Sequence, residues 1–262
     1  MFNGKKIGLA LSGGGALGVA HIGVIEELEK NGVKIDFVCG TSSGAIIGLP
    51  YAAGGLDMLH KFYDDALANF AQKNRFLFAK GPDAAFKYIE ESLQKLCAGK
   101  DFSGLKTSFA CCATNLATGE MEILDKGDPV RAVMASSAYP GVFAAQKVGN
   151  DFYIDGGVTR NLPAAEVRAM GAEFVIGSSI YSVNRYAADF AGKMNRFEVA
   201  ARALDIYEKE LSRFEEKYCD FCFKPAVRPL KWFDFFKMNE IVAQGRQNAA
   251  KEAAGILSLI NK

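Results

Sequence analysis

The chain is expected to adopt an α/β fold, three layers with a mainly parallel central sheet flanked by helices, on three observations. Apolar runs of strand length alternate with stretches of helical periodicity from the amino terminus onward. Glycine-rich turns at Ser12–Gly18 and Gly40–Gly44 follow the first two runs, where a parallel strand hands over to a helix. With 262 residues, 50% hydrophobic and 23% charged, the chain holds enough apolar material for one full core. One domain over 1–262 is therefore expected, with its motifs over about 5–180 and a mostly helical C-terminal part over about 194–262.

Residues 6–11 read as the first strand, and a helix follows from about Ala16 to Lys30. The second strand is the apolar run ending at Cys39, and Ala45–Leu49 opens the next helix directly after Ser42. Two amphipathic stretches near 56–72 and 83–98, broken at Gly81-Pro82, are placed to cover a site. Thr107–Ala113 and Met121–Leu124 read as strands around the turn Ala117–Glu120, and Phe152–Ile154 and Phe174–Ser178 as two more. A long charged helix from about Asn195 to Lys217 precedes the short run Tyr218–Phe223, a proline-containing connector and a terminal helix. On the long helix Arg196, Arg202, Lys209, Arg213 and Lys217, with Lys193 before it, alternate with acids and read as a solvated face.

A net charge of +1 supplies no general attraction to nucleic acid, and none is expected as a partner. No stretch reaches the roughly 18 apolar residues of a membrane-spanning helix, and the first apolar run is too short for a secretory signal. A cytoplasmic location is expected, with peripheral contact at the inner membrane surface left open. The six cysteines of so long a chain are expected as reduced thiols. Cys219-Asp220-Phe221-Cys222 has redox or metal spacing but lacks a second matching pair, so no metal site is expected.

Three motifs carry chemistry. Gly40-Thr41-Ser42-Ser43-Gly44 centres a serine between glycines at a strand-to-helix turn, the arrangement that pushes a nucleophilic hydroxyl outward. Such a pattern also arises by chance. Gly13-Gly14-Gly15-Ala16-Leu17-Gly18 follows the first strand and opens a helix, and it satisfies the dinucleotide fingerprint Gly-x-Gly-x-x-Gly. The same amides suit an oxyanion, and a tight structural turn is a third reading. A dinucleotide site wants an acid at the carboxyl end of the second strand, whereas Asp36 lies at its beginning. Neighbouring parallel strands end on the same side of a sheet, so the glycine loop and Ser42 are expected to open into one crevice.

A serine needs a base, and the chain has only His21 and His60, both in helical stretches without the loop setting of a catalytic imidazole. Asp155 has that setting, at a strand end before Gly156-Gly157, although Asp-Gly pairs also form ordinary turns.

Together these motifs resemble the patatin-like phospholipase family, most nearly its compact bacterial members, over most of the first 180 residues. Further matching segments are Gly18–Val24, Ala113–Glu120, Ala135–Phe143 and Asp155–Pro163. The resemblance implies a lipid acyl hydrolase in which Ser42 attacks an ester, Asp155 accepts its proton and the amides of Gly13, Gly14 and Gly15 hold the oxyanion, with Gly18, Gly40, Gly44, Gly156 and Gly157 shaping the turns. It implies no cofactor and no histidine base. A weakly catalytic interaction module on the same fold is the alternative, and a dinucleotide-binding protein the weaker one. Leu17 departs from the family pattern, in which many members carry Arg or Lys. Trp232-Phe233-Asp234-Phe235-Phe236, edged by Lys231 and Lys237, is a candidate for transient contact with a membrane surface, with core packing or self-association as the other readings.

Overall fold

The computed structural model describes residues 4–68, 82–97, 99–180, 192–225 and 237–260. The aromatic run at 232–236 lies outside the described residues, as do the end of the first amphipathic stretch and Gly81.

Strand β1 (Ile7–Leu11) runs through the 3₁₀ turn Gly15–Val19 into α1 (Ala20–Lys30), and β2 (Phe37–Thr41) passes through Ser42 into α2 (Ser43–Gly54). Helix α3 (Leu56–Phe62) ends in the π turn Tyr63–Ala68, and α4 (Pro82–Cys97) follows. Next come β3 (Ser108–Asn115), β4 (Met121–Leu124), α5 (Pro129–Ser136), β5 (Gln146–Val148), β6 (Asp151–Asp155), α6 (Ala164–Ala169) and β7 (Phe174–Ser178). The chain closes with α7 (Arg196–Glu215), β8 (Phe221–Phe223) and α8 (Met238–Ile260).

Three of these elements escape the sequence reading. Helix α5 is started by Asp128, whose Oδ1 accepts from the amides of Val130 (2.9 Å) and Arg131 (3.3 Å), with Pro129 in the first helical position. Strand β5 is only three residues long and polar, and α6 only six, too short for either period to register.

The sheet is mixed. β1 pairs in parallel with β2 and β7, β2 with β3, and β7 with β8, while β3–β4, β3–β6 and β5–β6 are antiparallel. The parallel centre explains why β1 and β7 are buried at every position, since helices cover both faces. On one face α1, α2, α4 and α8 form the larger core, including Leu9, Ile22, Ile25, Leu49 and Ile256. On the other face α6 packs Val167 over Ala10, Cys39 and Val175. Each large side chain buried this way contributes about 1.5–3 kcal/mol. Helices α1 and α8 cross at backbone distance, because a β-carbon on Gly23 would strike Val242 O and Arg246 N.

Strand β3 brings two distant segments together. Its residues Ser108–Cys112 pair with β2, ending at Thr41 opposite Cys112, and Ala113–Asn115 pair with β6, where Asp155 stands opposite Ala113. β4 pairs with 111–114, which overlaps both partners, so β2 and β6 share the other edge of β3 end to end. The last residue of β6 therefore abuts the last residue of β2. No helix among the described residues is long and apolar enough to cross a membrane.

Candidate active site

Ser42 occupies the turn between β2 and α2 with φ 53° and ψ −122°, and it is the one non-glycine residue at positive φ among those described. That conformation is costly for a residue with a side chain and persists only where the surroundings enforce it. Here they do. A β-carbon on Gly40 would lie 2.5 Å from Gly44 C and 2.6 Å from Ala45 N, and one on Gly44 would strike the carbonyls of Leu11 and Ser12. Ser136 closes the turn from α5: its hydroxyl donates to Cys112 O (2.6 Å) and accepts from the Ser42 amide (3.0 Å). The Ser42 carbonyl accepts from Ala45 (2.9 Å) and Ile46 (3.0 Å), starting α2, so the helix N-terminus begins at the hydroxyl-bearing residue.

Asp155 ends β6 and is 1% exposed. Its backbone is held by Ala138 O, which accepts from its amide (3.0 Å), and by the Thr114 hydroxyl, which donates to its carbonyl (2.9 Å). Its Oδ1 accepts from the Gly157 amide at 2.8 Å. Burial pushes the carboxyl up to about 6, with Ser42 and the Gly157 amide pulling it partway back. The Ser42 hydroxyl is thus near enough to stabilise the carboxylate, yet Asp155 Oδ2 makes no hydrogen bond of ordinary geometry. We take the two side chains as adjacent rather than hydrogen-bonded; contacts of this kind commonly tighten only around a substrate.

The glycine loop lies against the same serine. A β-carbon on Gly13 would sit 3.3 Å from Ser42 Cβ and 2.5 Å from Asn161 Oδ1. The Gly13 amide donates to both Asn161 Oδ1 (3.1 Å) and Asn161 O (3.2 Å). No described residue accepts from the amides of Gly14 or Gly15, and Gly15 needs φ 59°. Gly18 packs on Ser43, and Gly156 on Cys112 O and Thr41, so Gly13, Gly18, Gly40, Gly44 and Gly156 sit where backbone or side chain passes too close for a β-carbon.

His21 is a structural latch. Its ring spans Ser178 Oγ (2.8 Å) and Ser12 O (2.9 Å), and burial lowers it to about 4, the Ser12 carbonyl opposing, so the imidazole is neutral at pH 7. His60 pairs with Glu26 at the surface (2.7 Å). Leu17 is buried in the larger core, so the position that carries a cation in many family members here supplies packing. Asp36 accepts from the Ile7 amide at the start of β2 (2.9 Å), far along the strand from the glycine loop. The thiols of Cys219 and Cys222 lie against Gly177, and contact with Cys219, then burial, pushes Cys222 well up.

Helix α7 bounds the site with acidic side chains on its inner face and a mixed outer face, on which Glu198, Glu210 and Arg213 are exposed beside apolar residues. Its inner face carries Asp205, Glu208, Ser212 and Glu215, while Val199 (52% exposed), Ile206, Tyr207 and Phe214 (57%) face out. Glu215 is fully buried, accepting from the Leu162 amide (2.6 Å) and from Arg160 Nη1 (3.2 Å). Arg160 Nε also stands 2.9 Å from Glu166, an ion pair whose N–H direction misses the oxygen. Ser212 accepts from Asn161 Nδ2 (2.8 Å), linking α7 to the loop that holds Gly13. Ser136 and Asn161 lie in the family-like segments Ala135–Phe143 and Asp155–Pro163 without a marker of their individual roles, and the α7 carboxyls carry no marker in the sequence that ties them to Ser42.

The sequence model of the patatin-like phospholipase family matches residues 9–168, which hold all three motifs. A patatin-like phospholipase domain-containing protein of Caenorhabditis elegans is 28% identical over 94% of this chain and 20% of its own length. The lysophospholipase NTE1 of Debaryomyces hansenii is 28% identical over 70% of this chain and 12% of its own. The chain thus spans one fifth or less of these relatives. Among solved structures, VipD from Legionella pneumophila shares the fold at a TM-score of 0.54 and 14% identity, over 97% of this chain and 67% of that one. The chain belongs to the patatin-like phospholipase family.

Proposed function

We propose that the chain is a serine acyl hydrolase that cleaves carboxylic esters of lipids through Ser42 and Asp155. The observation that carries this reading is Ser42, held at φ 53° where β2 ends against the end of β6, so that its hydroxyl meets a buried carboxyl. Ser42 Oγ attacks the ester carbonyl as the Asp155 carboxylate takes its proton. The oxyanion forms toward the glycine loop, where the amides of Gly14 and Gly15 are the donors not already given to Asn161. Each such donor is worth about 3 kcal/mol of barrier. Asp155 returns the proton to the leaving alcohol, and water then releases the acyl group from Ser42 with Asp155 again accepting and returning a proton.

The substrate class is a phospholipid, lysophospholipid or neutral ester, and the likeness to the Debaryomyces lysophospholipase makes a lysophospholipid the first to assay. Peripheral contact with a lipid surface from the cytoplasm belongs to this reading. The outward apolar side chains of α7, with Lys217 Nζ 3.3 Å over the Phe214 ring, support it as an apolar stripe with a basic edge.

A fluorophosphonate probe and a lipid-ester panel test the reading. Wild type is expected to label and to release fatty acid, and Ser42→Ala to do neither. Absence of both in wild type would favour the interaction module, and near-normal turnover in Asp155→Asn would remove the aspartate as base.

A further inference from the structure

We propose that Glu208, on α7, is a positioning residue of this site, a carboxyl that faces Asp155 across Gly157 and carries a proton while Asp155 works as the base. The inference rests on the acyl-hydrolase reading for its catalytic consequence, though not for the carboxyl pair itself. A β-carbon placed on Gly157 would lie 3.1 Å from Asp155 Oδ1 and 3.1 Å from Glu208 Oε1, so the two carboxyls converge on the same glycine. Glu208 Oε1 and Asp155 Oδ2 are both buried without a hydrogen-bond partner. Two such oxygens cannot both belong to carboxylates at low cost, because each would be desolvated beside a like charge.

The groups around Glu208 deepen the argument. Asp155 faces it from β6, Asp205 lies one turn back on α7, and Tyr139 reaches Asp205 from the segment after α5 (3.4 Å), with Arg202 also near Asp205. Farther along, Arg160 is committed to Glu166 and Glu215, and no ion pair to Glu208 is found among the described residues. Burial first, then Asp155 and Asp205, push Glu208 up to about 9, against about 6 for Asp155. Between those values the pair holds one proton and one negative charge, and the Gly157 amide, which donates to Asp155 Oδ1 while Glu208 Oε1 has no donor, favours the charge on Asp155 and the proton on Glu208. The turn that carries Glu208 is also tied to the glycine loop: the Ser212 hydroxyl donates to Glu208 O (2.9 Å), Asn161 Nδ2 donates to Ser212 (2.8 Å), and Gly13 N donates to Asn161 Oδ1 (3.1 Å).

A neutral Glu208 leaves Asp155 as the single charge near Ser42. Ionising it puts a second negative charge beside the developing oxyanion, which opposes the transition state. Catalysis is therefore expected to fall on the alkaline side as Glu208 loses its proton.

The test measures fluorophosphonate labelling rate and melting temperature from pH 5 to 10.5 for the full chain, as wild type, Glu208→Gln and Glu208→Ala. Wild-type labelling is expected to rise through about pH 6 and to fall about tenfold between pH 8 and 10. Both variants lose the alkaline fall, with a pH 10 to pH 8 rate ratio at least about fivefold above that of wild type. A folded-state carboxyl raised above its ordinary value favours folding below that ordinary value, and the advantage is lost as pH rises through about 9. The wild-type melting temperature is accordingly expected to drop on the order of 10 °C more between pH 5 and 9 than that of Glu208→Gln. Superimposable pH profiles of wild type and Glu208→Gln in both measurements overturn the inference. Wild type that never labels overturns the hydrolase reading instead, and the melting temperatures still decide whether Glu208 holds the proton.

Discussion

Helix α2 starts from Ser42 and α7 lies against the Gly156–Val158 turn that follows Asp155, and the two are anchored differently. Helix α2 is apolar on nearly every side, with Ala45, Ile47, Leu49, Tyr51 and Ala52 buried, and it is held in the molecule by area removed from water. Helix α7 turns carboxyls and a serine inward beside the half-buried Leu204 and Leu211, and it is attached through Arg160, Leu162 N and Asn161. Net hydrogen bonds of about 0.5–1.5 kcal/mol each hold it where α2 has a whole hydrophobic face. The element that presents Ser42 is thereby firmly packed, and the element that flanks Asp155 is the one a single substitution can loosen.

The sharpest break of that contrast is at the firmly packed side. Ser42→Ala is expected to lower kcat by about 10⁵-fold while leaving the fold intact, read as ester hydrolysis beside circular dichroism. Next in size is the clamp on α7. Arg160→Met strands Glu166 and Glu215, both nearly fully buried, and is expected to cost about 3 kcal/mol in urea unfolding, with early proteolysis within 196–215. A comparable substitution in α2, Leu49→Ala, should cost as much globally without that selective cleavage.

Smaller and of opposite sign is the effect of the base on stability. The Asp155 carboxyl stands at about 6 in the folded chain against an ordinary 3.8, so it favours folding below pH 3.8 and loses that advantage as pH rises through 6. Asp155→Asn is expected to abolish turnover and yet to stabilise the fold by on the order of 2 kcal/mol at pH 8, a gain that vanishes near pH 4 in pH-dependent melting curves. The smallest effect is expected from His21→Gln, which loosens the Ser12–Ser178 latch by about 1 kcal/mol and leaves turnover within about threefold, checked by steady-state kinetics at pH 7.5.

How much of this could be read in advance follows the same division. The turn at Gly40–Gly44 was legible because its glycines answer to local backbone crowding, and Asp155 because Gly156-Gly157 mark a sharp exit from a strand. Helix α7 was legible as a helix with a solvated charged face, on which Arg196 and Arg213 are exposed, but not as one that also turns Glu208 and Glu215 into the protein. Charge spacing along a helix does not say which side a loop 50 residues earlier will cover. Strands of two or three residues beyond a glycine turn, such as β5, leave no period to find.

Residue order alone determines most of the elements and singles out Ser42 and Asp155 as candidates, because strand runs, helix periods and glycine turns are local consequences of side-chain shape and backbone freedom. Their meeting is a matter of the sheet: β3 is long enough to pair with β2 and then, on the same edge, with β6, and this register sets the two strand ends against each other. The charge carried by each buried carboxyl is likewise a tertiary property, since desolvation and neighbouring charge act through space and leave no trace in sequence spacing.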